Sequence, residues 1–130
     1  MTNEIVLVLS AAIVNFILGG VWYTVFGKQW MLAWGLKATD IDRKDPTPYL
    51  VSFIGSVWAS YGLFLIIKHI MPKNLQELFT ISVGTWLFLI VGMSAKHYAF
   101  AGKSLKAFCI DYFLDLIGIV LMSFILWGVA

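Results

Sequence analysis

The sequence predicts an all-α integral membrane protein: a bundle of four spanning helices, with a short interfacial helix after the first span. Of its 130 residues, 61% are hydrophobic and 12% are charged, far from the balance of a water-soluble domain. The apolar residues fall into four blocks separated by charged ones, each near the roughly 20 residues that cross hydrocarbon. Pro46, Pro48 and Pro72 all lie outside these blocks or at their entrance, where a missing backbone donor harms no helix. Lipid cannot satisfy a free backbone amide, and no segment has the alternation of a barrel strand, so helices are the economical solution. The four blocks leave little material for a separate soluble domain, so residues 1–130 are expected to form one domain.

The first block is uncharged from Ile5 to Gly27 and the second from Pro46 to Ile67, which predicts spans at about 5–27 and 48–69. The leader Met1-Thr2-Asn3-Glu4 lacks a basic region, and the stretch after it is too long for a signal-peptide core, so the first block reads as a span. The third block, Leu78 to Ala95, is near the lower length limit and predicts a span at 77–97. The fourth, Leu105 to Ala130, predicts one at 105–129 that carries Asp111 and Asp115.

The connection between the first two spans begins with residues 28–37, expected as a short interfacial helix. Trp30 and Trp34 are four apart and share a helical face beside Lys28 and Lys37. They are expected to anchor a helix lying in the headgroup layer, with a protein docking site as the alternative. Residues 39–45 mix both signs and read as a solvated turn or short helix, without the glycine and glutamate of a calcium loop.

The nine Lys and Arg residues give the bundle a direction. Lys28, Lys37, Arg43, Lys44, Lys96, Lys103 and Lys106 fall in the first and third connections, against Lys68 and Lys73 in the second. The positive-inside rule then places both termini on the non-cytoplasmic side.

Acids inside a span cost about 2.5–3.5 kcal/mol on insertion scales and need a reason. Asp111 and Asp115 share a face of the fourth helix, roughly 6 Å apart. At 1.5 Å per residue from Lys106, they lie about 7–8 Å and 13–14 Å deep. Asn15, counted from Glu4, lies about 16 Å deep in the first helix, and Tyr23, counted from Lys28, about 7–8 Å. Ala11, Asn15, Gly19 and Tyr23 form one face of small and hydrogen-bonding residues. The expectation is an intramembrane polar site with Asn15 near Asp115 and Tyr23 near Asp111, either as a hydrogen-bonded core or as a path for protons, cations or a small ligand. Lys96 and His97, at the inner end of the third span, are candidates to compensate the charge of Asp111.

Ser52, Ser56 and Ser60, with Gly55 and Ala59, read as a packing seam on the second helix. His69 and His97 sit at opposite ends of the bundle, and the lone Cys109 completes no cluster and no disulfide, so no metal and no cofactor are expected. A faint echo relates Tyr23 through Gly27-Lys28 to Tyr98 through Gly102-Lys103, an offset that would fit a parallel repeat of two hairpins.

The segment Asn15-Phe16-Ile17-Leu18-Gly19-Gly20-Val21-Trp22-Tyr23, with Phe26-Gly27-Lys28-Gln29-Trp30-Met31, resembles the bacterial family called domain of unknown function 1761. The run from Phe100 to Ile110 resembles that family's third connection and fourth helix, and the likeness covers nearly the whole chain in order. The resemblance implies a small multi-pass protein of a bacterial cytoplasmic membrane with no assigned activity. The family pattern usually has an amide at the position of Asp111 and often a histidine near Asp115. That departure favours a hydrogen-bonded core or a tuned ligand site over a fixed catalytic acid.

No hydrolase elbow, zinc motif, phosphate loop or dinucleotide fingerprint is present, which makes an enzyme the least supported class. Two readings stay open. One is an oligomeric transporter or channel using the acid pair; the other is a non-transporting assembly or accessory protein. Membrane lipids and further copies of the chain are the expected partners, with no nucleic acid.

Overall fold

The computed structural model describes residues 2–128, and it forms four helices long and apolar enough to cross a membrane: Thr2–Trp34, Thr47–Ile70, Leu75–Phe100 and Leu105–Trp127. Position 129, the expected end of the fourth span, lies outside the described residues. Large apolar side chains stand exposed on all four helices, among them Ile17, Trp58, Phe88 and Phe113. In water that surface would aggregate, whereas in lipid it is solvated. The chain is a multi-pass membrane protein.

Local chemistry sets the connections. The first helix ends where Gly35 turns left-handed (φ 72°), letting the Leu36 N–H reach back to the Met31 carbonyl at 2.9 Å. Gly102 (φ 68°) ends the third helix in the same way, with the Lys103 N–H on the Tyr98 carbonyl at 2.9 Å. Between the second and third helices, Asn74 accepts from the Glu77 N–H (2.9 Å) while Glu77 accepts from the Lys73 N–H (2.7 Å). Residues 39–45, expected as a solvated turn or short helix, begin within the 3-10 helix Ala38–Asp40 and are exposed.

The short interfacial helix expected at 28–37 is not a separate element. Residues 28–34 continue the first helix, because nothing before Gly35 breaks it. At 33 residues it is about 50 Å long, more than the ~30 Å of hydrocarbon, so one end projects past the apolar layer.

The fourth helix is the hub. The first packs on it most extensively and also on the second; the third packs chiefly on the fourth. The third helix changes hydrogen-bond period midway, running as α-helix over Leu75–Gly84, as π-helix over Thr85–Val91 and as α-helix again over Gly92–Phe100. Its widened turn carries Trp86, whose indole N–H donates to the Tyr112 carbonyl at 2.6 Å.

The two ends of the bundle differ. At the termini end, Val8, Ala11, Leu63, Ile67, Leu78, Met122 and Leu126 form a close aliphatic core. Buried serines there find backbone partners, Ser60 on the Val8 carbonyl (2.8 Å) and Ser123 on the Ile119 carbonyl (2.7 Å). At mid-bundle Asn15 donates to Ser56 Oγ at 2.9 Å, and its Oδ1 lies only 2.2 Å from where a Cβ on Gly118 would stand. Three helices thus meet at a point where any residue larger than glycine would displace Asn15. Of the expected serine seam, Ser56 and Ser60 are buried, whereas Ser52 is exposed and bonds the Pro48 carbonyl of its own helix.

Gly118→Ala is therefore expected to lower stability by about 1–3 kcal/mol, since Asn15 must either clash or abandon Ser56. Gly19→Ala, where a Cβ meets nothing within 4 Å, is the matched control. Thermal unfolding of the purified variants in detergent separates the two.

Candidate functional site

The other end of the bundle is built around Asp111. Tyr23, Trp30 and Trp34 are spaced i, i+7 and i+11, which returns each to one face of the first helix. That face packs against the start of the fourth helix, where Trp22 Nε1 donates to the Ile110 carbonyl at 2.9 Å. Asp111 Oδ1 accepts from Tyr23 Oη (2.5 Å) and Trp30 Nε1 (2.9 Å). Its Oδ2 accepts from Trp34 Nε1 (3.0 Å) and from Tyr98 Oη of the third helix. An indole N–H can only donate, so the two tryptophans fix both carboxylate oxygens as acceptors. The rings also touch one another: Tyr23–Trp30, Trp30–Trp34 and Trp34–Tyr98 centroids are 5.5, 5.9 and 5.4 Å apart. One carboxylate and four aromatic side chains tie three helices together.

Trp30 and Trp34 were expected in the headgroup layer, yet their polar edges turn inward, because the unbroken helix keeps them on the stripe begun by Tyr23. Lys96 and His97 do not compensate the charge: both are exposed, and it is the next residue, Tyr98, that reaches Asp111. A cation does touch the cluster at Trp34, and it is Lys103. Its Nζ donates to the Trp34 carbonyl (2.9 Å) and stands 5.2 Å from the Trp34 ring centroid. Among the described residues Asp111 makes no ion pair; Lys68–Glu4, at the opposite end, does.

The expected pairing of Tyr23 with Asp111 is present, but that of Asn15 with Asp115 is not. The first and fourth helices are antiparallel, and Asn15 lies eight residues before Tyr23, about 12 Å along the axis. Counting the same eight residues on from Asp111 arrives at Ile119, beside Gly118 and past Asp115. Depths counted from opposite surfaces make Asn15 and Asp115 level, and the antiparallel register sets them apart.

By that register the residue level with Asp115 is Gly19, which brings no side chain toward it. Asp115 falls within about 40° of Asp111 and about 20° of Met122 around the helix, on the face turned toward the bundle. Met122 is buried, at 4% exposure, and Gly118 is buried as well. Asp115 is nevertheless exposed, and among the described residues it bonds no other side chain. The bundle is open there: the first and third helices meet through Trp34 and Tyr98 at one end and lack extensive packing with each other above that contact.

The model of a protein family described as "Protein of unknown function (DUF1761)" matches residues 6–127. The chain belongs to DUF1761. No curated protein matches it, and neither does any solved structure. Of its residues, this DUF1761 member brings Tyr23, Trp30, Trp34, Tyr98 and Asp111 into one cluster and leaves Asp115 beside it, unpartnered. Tyr98 is the residue that sequence reasoning missed, although the echo of Tyr23-to-Lys28 in Tyr98-to-Lys103 signalled it: both tyrosines end on the same carboxylate.

Tyr98→Phe is expected to cost about 0.5–1.7 kcal/mol, the range of single hydrogen bonds between spanning helices. Asp111→Asn is expected to cost more, about 1–3 kcal/mol, because its NH₂ group faces a donor where an acceptor is required. Thermal unfolding gives the order, and a shift in tryptophan emission reports the disturbed indoles.

Proposed function

We propose that this protein is a transport-type membrane protein in which the two acids have different tasks: Asp111 holds the helices, and Asp115 takes up and releases a proton. The observation that carries this reading is the exposure of Asp115 on the bundle-facing side of a spanning helix, without a side-chain partner. An ionisable group at that depth is costly, and a group retained only for packing would be expected to bond. A single free carboxylate suits a proton better than a metal ion, which needs several oxygens to replace its water. The neighbouring acid does not supply them, since the oxygens of Asp111 each hold two donors.

Four helices with one open side enclose little space, so the path is shared between copies of the chain in a homo-oligomer. Lysine placement favours a bacterial cytoplasmic membrane with both termini on the non-cytoplasmic side. The assignment involves no catalysis, no cofactor and no nucleic acid. The accessory-protein reading is favoured by a different observation: the Asp111 cluster locks three helices with all its donors in use.

Proteoliposomes under a pH gradient discriminate the two. Proton flux in the wild type is expected to fall at least about tenfold in Asp115→Asn, the effect of removing the titrating group, with thermal stability preserved. Flux absent from the wild type, or unchanged in Asp115→Asn, rejects the transport role. A change in oligomer size without any flux supports the accessory role.

A further inference from the structure

At the termini end of the bundle, away from Asp111, lies an open-sided cavity of about 460 Å³ between the first and second helices and the last turn of the fourth. That volume is within the ~300–1,000 Å³ of small-molecule sites. Its walls are apolar, from Leu7, Phe64, Ile67, Met71 and Trp127, and its rim is charged, from Glu4 and Lys68 with Asn3 beside them. Lys68 Nζ donates to Glu4 Oε1 at 3.1 Å and also stands 5.5 Å from the Phe64 ring centroid.

We propose that this cavity binds a zwitterionic phospholipid carrying a primary ammonium, a phosphatidylethanolamine. Glu4 lies in the first turn of the first helix and Lys68 in the last turn of the second, the level at which headgroups lie. The pair is half exposed, at 54% and 44% for the two side chains, so a headgroup can reach both charges while their bond to each other is kept. Lys68 spends one of its three N–H donors on Glu4, and the lipid phosphate takes the others together with the Asn3 amide. Glu4 bonds through Oε1, which leaves Oε2 to accept from the ammonium. Trp127 Nε1 is already committed to the Pro72 carbonyl at 2.9 Å, so its ring serves as wall for the glycerol and upper acyl carbons. A choline headgroup has no N–H for Glu4, and a glycerol headgroup has no positive charge.

The test uses the full chain in detergent with phosphatidylethanolamine, phosphatidylcholine and phosphatidylglycerol of identical acyl chains, and binding is read by native mass spectrometry. The ethanolamine lipid is expected to bind about fivefold or more tightly than the other two, the worth of one charge-assisted bond at a half-exposed site. Glu4→Gln removes that preference while lipid is still retained; Lys68→Met weakens all three lipids; and Lys68→Arg restores them. Soluble O-phosphorylethanolamine, which has the charges without the chains, binds much more weakly. Three lipids binding within about twofold of one another, or a preference that survives Glu4→Gln, overturns the proposal. Equal binding of the soluble headgroup overturns the lipid as its source.

Discussion

The hydrogen bonding of one carboxylate fixes half of this molecule. Asp111 receives two donors on each oxygen, and because the indole N–H groups of Trp30 and Trp34 cannot accept, both oxygens are held as acceptors. The first helix is thereby held in register on the fourth. The third helix, which packs chiefly on the fourth, is held at its far end by Tyr98. Its other ties follow the same logic of aromatic side chains on the fourth helix: Trp86 on the Tyr112 carbonyl and Phe79 edge-on to Phe124. In lipid, where apolar burial drives helices together only weakly, such directional contacts carry much of the specificity.

The two acids show how position along one helix face divides chemistry. They are four residues apart, yet one has four donors and the other has no side-chain partner. The difference comes from the facing helix. Tyr23 presents a hydroxyl to Asp111, whereas Gly19, one turn away, presents nothing to Asp115. On one side of Asp115 the aromatic cluster joins three helices, and on the other Asn15, Ser56 and Gly118 bring three together. Asp115 lies between these two joined layers, an arrangement consistent with the proposed proton exchange.

The four spans were legible because length and hydropathy in lipid leave helices as the only economical backbone. The Tyr23–Asp111 contact was legible because both were measured from the same surface, at Lys28 and Lys106. Asn15 was misplaced because its depth was measured from the other surface, and the antiparallel register was missing. The tryptophans were read from their neighbours in sequence, the lysines, which favours an interfacial anchor. Their true partner is 77 to 81 residues away, and only the continuity of the first helix through Trp34 brings them to it. The close approach at Gly118 left no sequence signal, since it depends on which of the fourth helix's faces meets Asn15.

The claim on which this picture turns is that Asp115 stands in an opening that water can reach. Cysteine accessibility measures it most directly, because the chain has a single native cysteine, Cys109, that is readily replaced by alanine. In that background, cysteines are placed one at a time at positions 114, 115 and 117, and a charged, membrane-impermeant thiol reagent is applied in proteoliposomes. The expected result is modification at 115, with none at the buried position of Leu114 or the outward-facing position of Ile117. A cysteine at 115 that reacts no faster than one at 117 would contradict the opening and, with it, the separate roles of the two acids.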